Sequence, residues 1–236
     1  MKLQLTTCCL ALALLAGCSS NSEKQGVDAV TGFYGGTVRY SKGSHFSTDA
    51  TEPQGEYLEV ALDKPGLNRH FSDPRIPASN CAYLVYKQLA PTERQDYSYL
   101  KVTLTDSGTT HGYTYPVAGL QLATQAANLL TPLMANLQQH HYHAIANNFN
   151  PVGLRAMSPD SLTSLITRIG KEIGPITAYA LQGHGIAPIT LAGKPQQLVR
   201  LFVRISEPAP TRKLLIVVNP SQKADEKYIY GLNFFN

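Results

Sequence analysis

The sequence predicts an α+β fold in which helices pack on a C-terminal, four-stranded antiparallel sheet, preceded by a smaller mixed α/β region. Two observations support this prediction. Apolar residues recur at helical spacing through 120–149 and again through 159–170, and four strand-like segments then follow one another. The 236 residues are 43% apolar and 15% charged, which is the composition of a globular protein.

The first helical stretch places its apolar residues three and four positions apart, on one face of a helix. These residues are Leu122, Ala126, Leu129, Leu130, Leu133, Leu137, Ala144, Ile145 and Phe149. Pro132 interrupts the stretch, and Thr131-Pro132 indicates either a helix start or a kink inside one helix. We therefore expect two or three helical pieces rather than one straight helix.

Another helix and four strands are predicted after residue 150. Ser158 before Pro159 is a favourable helix start, and Gly170 or Gly174 ends this helix. The strands are expected at 176–182, 197–206, 213–219 and 228–235. Because turn-forming residues separate them, neighbouring strands should pair antiparallel. The preceding helices are then the available cover for the apolar face of the sheet.

The region 33–117 is predicted to be mixed α/β. Strands are expected at 37–40, 56–62, 97–105 and 112–117. Residues 41–55 are rich in Ser, Gly and Thr and predict a long loop, and Asn80 is a candidate cap for a helix at 81–89. Asp106-Ser107-Gly108 predicts a hairpin turn. This region is either a small unit of its own or an elaboration of the part that follows.

The N-terminus has the layout of an exported precursor. Lys2 supplies a positive charge, residues 8–15 form a short apolar run, and Leu15-Ala16-Gly17-Cys18 follows. This tetrapeptide resembles the lipobox of bacterial lipoproteins, in which the cysteine is lipidated and becomes the first mature residue. The resemblance implies a signal peptide at 1–17 and acyl chains such as palmitate on Cys18. An ordinary secretory signal peptide is the alternative.

The lipobox resemblance also implies a location. Several acyl chains on one cysteine suffice for stable attachment, so the membrane is a partner through the lipid on Cys18. Ser19 follows the cysteine instead of Asp, which in lipoproteins argues against retention in the inner membrane. We therefore expect a protein of the cell envelope, anchored in the outer membrane and facing the periplasm. Residues 18–32 are predicted to be the lipidated cysteine and a tether.

The cysteine content and the net charge argue against a cysteine nucleophile and against nucleic-acid binding. Cys8 and Cys9 leave with the signal peptide and Cys18 is acylated, so Cys81 remains alone, without a disulfide partner. We expect a buried, unreactive thiol, since a nucleophile would need a paired histidine. The net charge of +4 is small and scattered, which does not predict nucleic-acid binding.

The C-terminal half follows a pattern of hydrophobic and glycine positions. The pattern comprises Leu133-Met134-Ala135-Asn136-Leu137, Tyr142-His143-Ala144-Ile145, Phe149, Leu162 to Ile169 and Gly174-Pro175-Ile176. It resembles the cystatin-like and nuclear-transport-factor-2-like α+β domains, and within them small bacterial secreted domains of unknown function. The resemblance implies a cone-shaped domain at 118–236, from which His140-His141 departs. Such folds host enzymes, binders and scaffolds alike.

Three histidines are candidates for chemistry. His140 and His143 could share a helical face and a zinc ion, but no Asp, Glu or Cys lies nearby in the sequence to complete a site. A solvated helix junction is the favoured interpretation, and no metal ligand is assigned. His184 lies between Gly183 and Gly185 and could be exposed for acid–base work, although the same glycines favour an ordinary turn.

The expected ligand pocket is the concavity between the sheet and its helices. Its candidate lining residues are Tyr179, Arg200, Phe202, Arg204 and Tyr230. The favoured interpretation, however, is a filled core with the arginines on the solvent face. No cofactor or catalytic residue is predicted. The leading hypothesis is a non-catalytic, lipid-anchored envelope protein that binds another envelope protein or a small ligand. The alternative is an envelope enzyme that uses the pocket with histidine acid–base or metal chemistry.

Overall fold

The computed structural model describes residues 20–49, 52–154, 157–191, 193–206 and 212–235. Within these ranges the chain forms helices and two four-stranded sheets, which confirms the α+β class. Cys18 and the predicted signal peptide lie outside the described residues, so lipidation stays a prediction. No helix in the described ranges is both long and apolar enough to cross a bilayer.

The first sheet is mixed and belongs to the N-terminal half. Its elements are α1 (Asn21–Tyr34), β1 (Thr37–His45), β2 (Gly55–Asp63), α2 (Arg75–Gln88), α3 (Glu93–Asp96), β3 (Tyr99–Asp106) and β4 (Thr109–Pro116). The strand order is β1-β2-β3-β4. β1 and β4 pair antiparallel with their neighbours, whereas β2 and β3 are parallel. A parallel pair needs a long crossover, and α2 supplies it.

Alternation along β2 and β3 explains the first core. Leu58 of β2 lies opposite Leu100 of β3, and the next inward pairs are equally apolar and buried. The remaining members of this core on α1 and α2 include Val30, Cys81 and Val85. The predicted hairpin of β3 and β4 is confirmed, with Ser107 and Gly108 both at positive φ in its turn.

Three predictions for this half are wrong. The segment predicted to be a tether is helical from Asn21, because Ser20 caps α1 and its hydroxyl accepts the Glu23 N–H at 3.1 Å. β1 continues to His45 and shortens the predicted loop, because pairing with β2 extends it. Asn80 does not cap α2, which starts at Arg75. It is buried inside the helix, where its side-chain amide donates to the Tyr34 hydroxyl at 3.0 Å.

The second sheet is antiparallel throughout, with the order β5-β6-β7-β8. The elements of this half are α4 (Val117–Gln138), α5 (Tyr142–Asn147), α6 (Pro159–Ile173), β5 (Ala178–Leu191), β6 (Lys194–Ser206), β7 (Arg212–Val218) and β8 (Ile229–Phe235). The sequential pairing and the start of α6 at the Ser158 cap are confirmed. Residues of α4, α5 and α6 share one apolar core with the strands, so the predicted helical cover is confirmed.

The break in the long helical stretch does not lie at Pro132. α4 continues through this proline, because Leu130 and Leu133 on either side of it are buried in the second core. The chain turns at His140 instead, which has a φ of 59°. Two helical pieces therefore form, as predicted, but the junction follows Gln139.

The two halves share helices. Leu120 near the start of α4 lies in the first core, whereas Leu133 lies in the second. α2 of the first half also packs against β5 of the second. At this contact the Ser79 hydroxyl accepts the His184 backbone N–H at 2.8 Å. A side chain at Gly183 would place its Cβ 2.3 Å from the Ile76 carbonyl oxygen.

Candidate functional site

Three of the five predicted pocket residues lie on the outer face of the second sheet. Successive residues of a strand point to opposite faces, and Leu201, which is fully buried, faces the helices. Arg200, Phe202 and Arg204 therefore point away from them. Both arginines are exposed and Phe202 is partly buried. A place in a concavity beneath the helices is therefore wrong for these three residues, whereas the interpretation with the arginines on the solvent face is confirmed.

The two tyrosines lie elsewhere. Tyr179 is opposite Ile205, so it shares the core face and packs against the apolar cluster there. Tyr230 is the extra residue of a bulge between β7 and β8, and its backbone lies against Gly153. The structure therefore brings together only the three residues of β6.

Cations dominate the outer face of the second sheet. Arg204 of β6 lies directly opposite Lys213 of β7, and Arg200 lies four residues along β6, about 13 Å away. Lys194 adds another cation at the start of β6. The face has no Asp or Glu on its described strands, since the remaining outward positions are apolar, small or uncharged polar. Within the described ranges, Arg200, Arg204 and Lys213 form no ion pair. We call Arg200, Phe202, Arg204 and Lys213 the cationic face.

Two clefts lie outside this face. One, of about 200 Å³, separates α6 from β8 and is lined by Leu162, Leu165, Ile166 and Ile169 of α6 and by Leu232 and Phe234 of β8. The other, of about 360 Å³, lies between α3 and α4, beside Tyr86 of α2, and is lined mainly by polar residues, among them Gln121, Gln125 and Arg94. The Arg94 guanidinium lies 4.8 Å from the centre of the Tyr86 ring and donates to two backbone carbonyls, so it already has protein partners.

His184 lies inside β5, so the turn predicted for Gly183-His184-Gly185 is wrong. The glycine at 183 is needed because α2 approaches the strand there, and a bulge at Gln182 precedes it. The His184 ring is buried near the rings of Tyr83 and Tyr115, and its Nδ1 has no hydrogen-bond partner among the described residues. Burial lowers its pKa to about 4, so His184 is neutral at neutral pH.

The other two histidine candidates have local partners. The His140 Nδ1 lies 2.7 Å from the Tyr142 hydroxyl, and the His143 Nδ1 lies 3.1 Å from the Asn147 amide nitrogen. The described part of the chain contains no group of three or more His, Cys, Asp or Glu that could hold a metal ion. The alternative of an enzyme with histidine chemistry stays a prediction.

The burial predicted for Cys81 is confirmed. Its side chain is inaccessible to solvent, and burial raises the pKa of the thiol far above its ordinary value. Such a thiol stays protonated and is a poor nucleophile at neutral pH.

One buried charged group was missed at the sequence level. The Glu23 carboxylate at the start of α1 accepts a hydrogen bond from the Tyr97 hydroxyl at 2.6 Å and lies 2.7 Å from the Lys42 ammonium. Burial, and then Glu23, raises the pKa of Tyr97. Ser20 followed three residues later by Glu23 is a capping-box pattern, so the sequence contained the signal for the helix. Nothing in it indicated the distant partners.

No protein-family model, curated protein or solved structure matches this chain. The cystatin-like cone therefore stays a prediction, whereas the helix-covered antiparallel sheet is a feature of the structure itself.

Proposed function

We propose that this chain is a lipid-anchored, non-catalytic envelope protein that binds an anionic envelope component through the cationic face. The observation on which the proposal depends is the cross-strand pair of Arg204 and Lys213. Like charges directly opposite each other destabilise a sheet. An anionic partner placed between the two cations would remove their repulsion. The pair therefore lowers the stability of the free protein and strengthens the binding of an anion.

The chemistry of the face also supports an anionic partner. Arginine binds carboxylate and phosphate groups through two parallel hydrogen bonds, and Arg200 and Arg204 are both exposed for such contacts. Phe202 lies between them on the same face and offers an apolar contact in addition. A component that has spaced acidic groups on an otherwise uncharged surface fits this arrangement.

The proposed anchor limits where the partner is met. Ser20 caps the first helix and Cys18 precedes it by two residues, so a lipid on Cys18 leaves almost no free chain before the folded part. The domain then lies close to the membrane surface, and a partner within the same envelope layer is in reach of the cationic face.

Binding to two immobilised anionic probes tests the proposal. Detergent-solubilised full chain is passed over two resins, one coupled to a polyglutamate peptide and the other to glycerol phosphate, the charged part of an anionic phospholipid headgroup. We expect binding to at least one probe, weakening as salt screens the charges. The variant R200Q/R204Q/K213Q should lose it. The matched variant R39Q/K87Q/K171Q lowers the net charge equally at exposed positions elsewhere and should retain it.

The outcomes separate the possible partners. Binding to the peptide alone indicates an acidic protein segment, and binding to glycerol phosphate alone indicates an anionic lipid headgroup. Equal loss of binding in both triple variants would show that overall charge, rather than this face, is responsible. That result, or no binding to either probe, would overturn the proposal.

A further inference from the structure

The edge strands of the two sheets differ in how they are protected. Edge strands expose unpaired backbone groups, which proteins protect with charges, proline or a covering element. β1 has Arg39 and Lys42, and β4 ends with Pro116. α2 lies along β5, where Ser79 binds the His184 N–H. β8, with the sequence Ile-Tyr-Gly-Leu-Asn-Phe-Phe, contains neither a charge nor a proline.

Among the described residues, the outer edge of β8 is paired at one end only. The Ile229 N–H donates to the Asn148 carbonyl at 3.0 Å, and the Asn150 N–H donates to the Ile229 carbonyl at 2.7 Å. From residue 231 to 235, no segment within the described ranges other than β7 pairs with the strand. The free edge is about 17 Å long, which is a full strand of ordinary length.

Apolar side chains lie beside this free edge. Leu232 and Phe234 line the cleft below α6 together with Ile169. Met157, which is 40% exposed, also lines this cleft. Phe235, which is 37% exposed, lies on the opposite face of β8, beside Lys213. A strand added to the edge would therefore gain backbone hydrogen bonds and also bury apolar surface on both sides of the new pair.

We propose that β8 pairs antiparallel with β8 of a second copy of this chain, so that the second sheet continues across a two-fold axis. The edge needs an uncharged, extended partner with apolar side chains at alternate positions, and β8 is itself such a strand. The two β8 strands contain no charged side chains that would repel each other, and antiparallel pairing satisfies the free backbone groups of both copies at once.

The pairing has a consequence for both layers of the molecule. Leu232 and Phe234 of the two copies form one apolar layer below both α6 helices, which lie on the same side of the joined sheet. The two cationic faces become one surface on the other side. The dimer goes beyond the proposed function, because one copy binds its anionic partner whether or not it is paired.

Charge substitutions at the middle of the free edge test the pairing. Asn233 is exposed and lies on the outer face of β8, so a charge there leaves the core intact. The full chain in detergent, studied by sedimentation equilibrium from about 1 μM upward, should dimerise, since small interfaces bind in the micromolar range. N233K and N233D should each weaken the dimer about fivefold, because the like charges of the two copies then lie close together across the shared edge. Mixing the two variants should restore it.

A second measurement locates the axis. Single cysteines placed at 231, 232, 233, 234 and 235 are oxidised in membranes, and disulfide-linked dimers are measured on non-reducing gels. Formation should peak at one position and fall on both sides, since only the residue at a two-fold axis meets its own copy. S41K and S41C, at an exposed residue of the β1 edge, serve as controls and should change neither dimerisation nor crosslinking.

Each outcome decides for or against the pairing. A wild-type chain that stays monomeric, a dimer that N233K and N233D leave unchanged, or crosslinking that is equal at all five positions would each overturn it. A chain that is monomeric but binds the anionic probes would refute this inference and leave the proposed function standing.

Discussion

The outer faces of the two sheets differ in how their charged residues are balanced. On the first sheet, Glu59 and Asp63 alternate with Arg39 and Lys101, and the Lys101 ammonium lies 3.8 Å from the Glu59 carboxylate. On the second sheet the described strands present cations without any acid. Both faces are open to solvent, yet only the first balances its own charges. The first face therefore balances its charges within the sheet, whereas under the proposed function an anionic partner supplies the charges that the second face lacks.

The halves also differ in how their interiors are linked to each other. Each sheet has a core of its own, but α4 contributes to both cores and α2 contacts the second sheet through β5. Two sheets with different outer faces are thereby expected to behave as one folding unit.

The largest expected loss of stability comes from core substitutions, which test whether the two sheets unfold together. Leu100→Ala in the first core and Leu201→Ala in the second each remove a fully buried side chain and should cost about 3 kcal/mol of unfolding free energy. Urea unfolding of both variants is monitored by circular dichroism and by tyrosine fluorescence, and each variant should show one cooperative transition. Two separate transitions, with only one of them shifted by each variant, would show that the sheets unfold independently.

A comparable change in the unfolding free energy is expected when pH changes the charge of His184, where α2 packs against β5. His184 has a pKa of about 4 in the folded chain, against an ordinary histidine value of 6.5. The unfolded chain therefore binds the proton first, and stability that is complete above pH 6.5 falls between pH 6.5 and pH 4, by about 3 kcal/mol. His184→Phe should flatten this part of the wild-type profile. His143→Gln, at an exposed site, is the control, and an unchanged slope in His184→Phe would refute the prediction.

A smaller loss of stability is expected from adding a side chain where α2 and β5 are in close contact. Gly183→Ala forces a Cβ against the Ile76 carbonyl and should destabilise the protein by about 2 kcal/mol. Gly185→Ala, two residues along the same strand, meets no atom within 4 Å and is the matched control. Thermal unfolding of both variants measures the difference. Equal midpoints would mean that the helix does not press on the strand.

The smallest expected changes in stability come from removing one lysine from each outer face. Lys213→Gln removes the repulsion with Arg204 and should raise the unfolding free energy by about 0.5 kcal/mol. Lys101→Gln removes an exposed ion pair and should lower it by a similar amount, about 0.5 kcal/mol. Urea titrations at low salt compare the two changes, and high salt should diminish both. The same sign for both substitutions would contradict the charge comparison.

The sequence by itself determined the features that depend on local spacing. The alternation of β6, the Ser158-Pro159 start of α6 and the hairpin turn at Ser107-Gly108 were all predictable, because periodicity and turn chemistry act within a few residues. Three of the four residues of the cationic face could also be named, since Arg200, Phe202 and Arg204 share one side of a strand. The pattern favoured the solvent side for the arginines, but it could not assign the two faces of the sheet or identify Lys213 as the cation opposite Arg204.

Only the tertiary structure decided that assignment and the other contacts between distant segments. The His184 ring is buried because Tyr83 of α2 and Tyr115 of β4, both distant in the sequence, lie against it. Asn80 lies inside a helix because Tyr34, 46 residues earlier, accepts its hydrogen bond, and Glu23 is buried because Tyr97 and Lys42 reach it. Such contacts depend on which elements pack together, and no local pattern encodes that choice. The same packing turned the cations of β6 towards solvent and left one edge of β8 free.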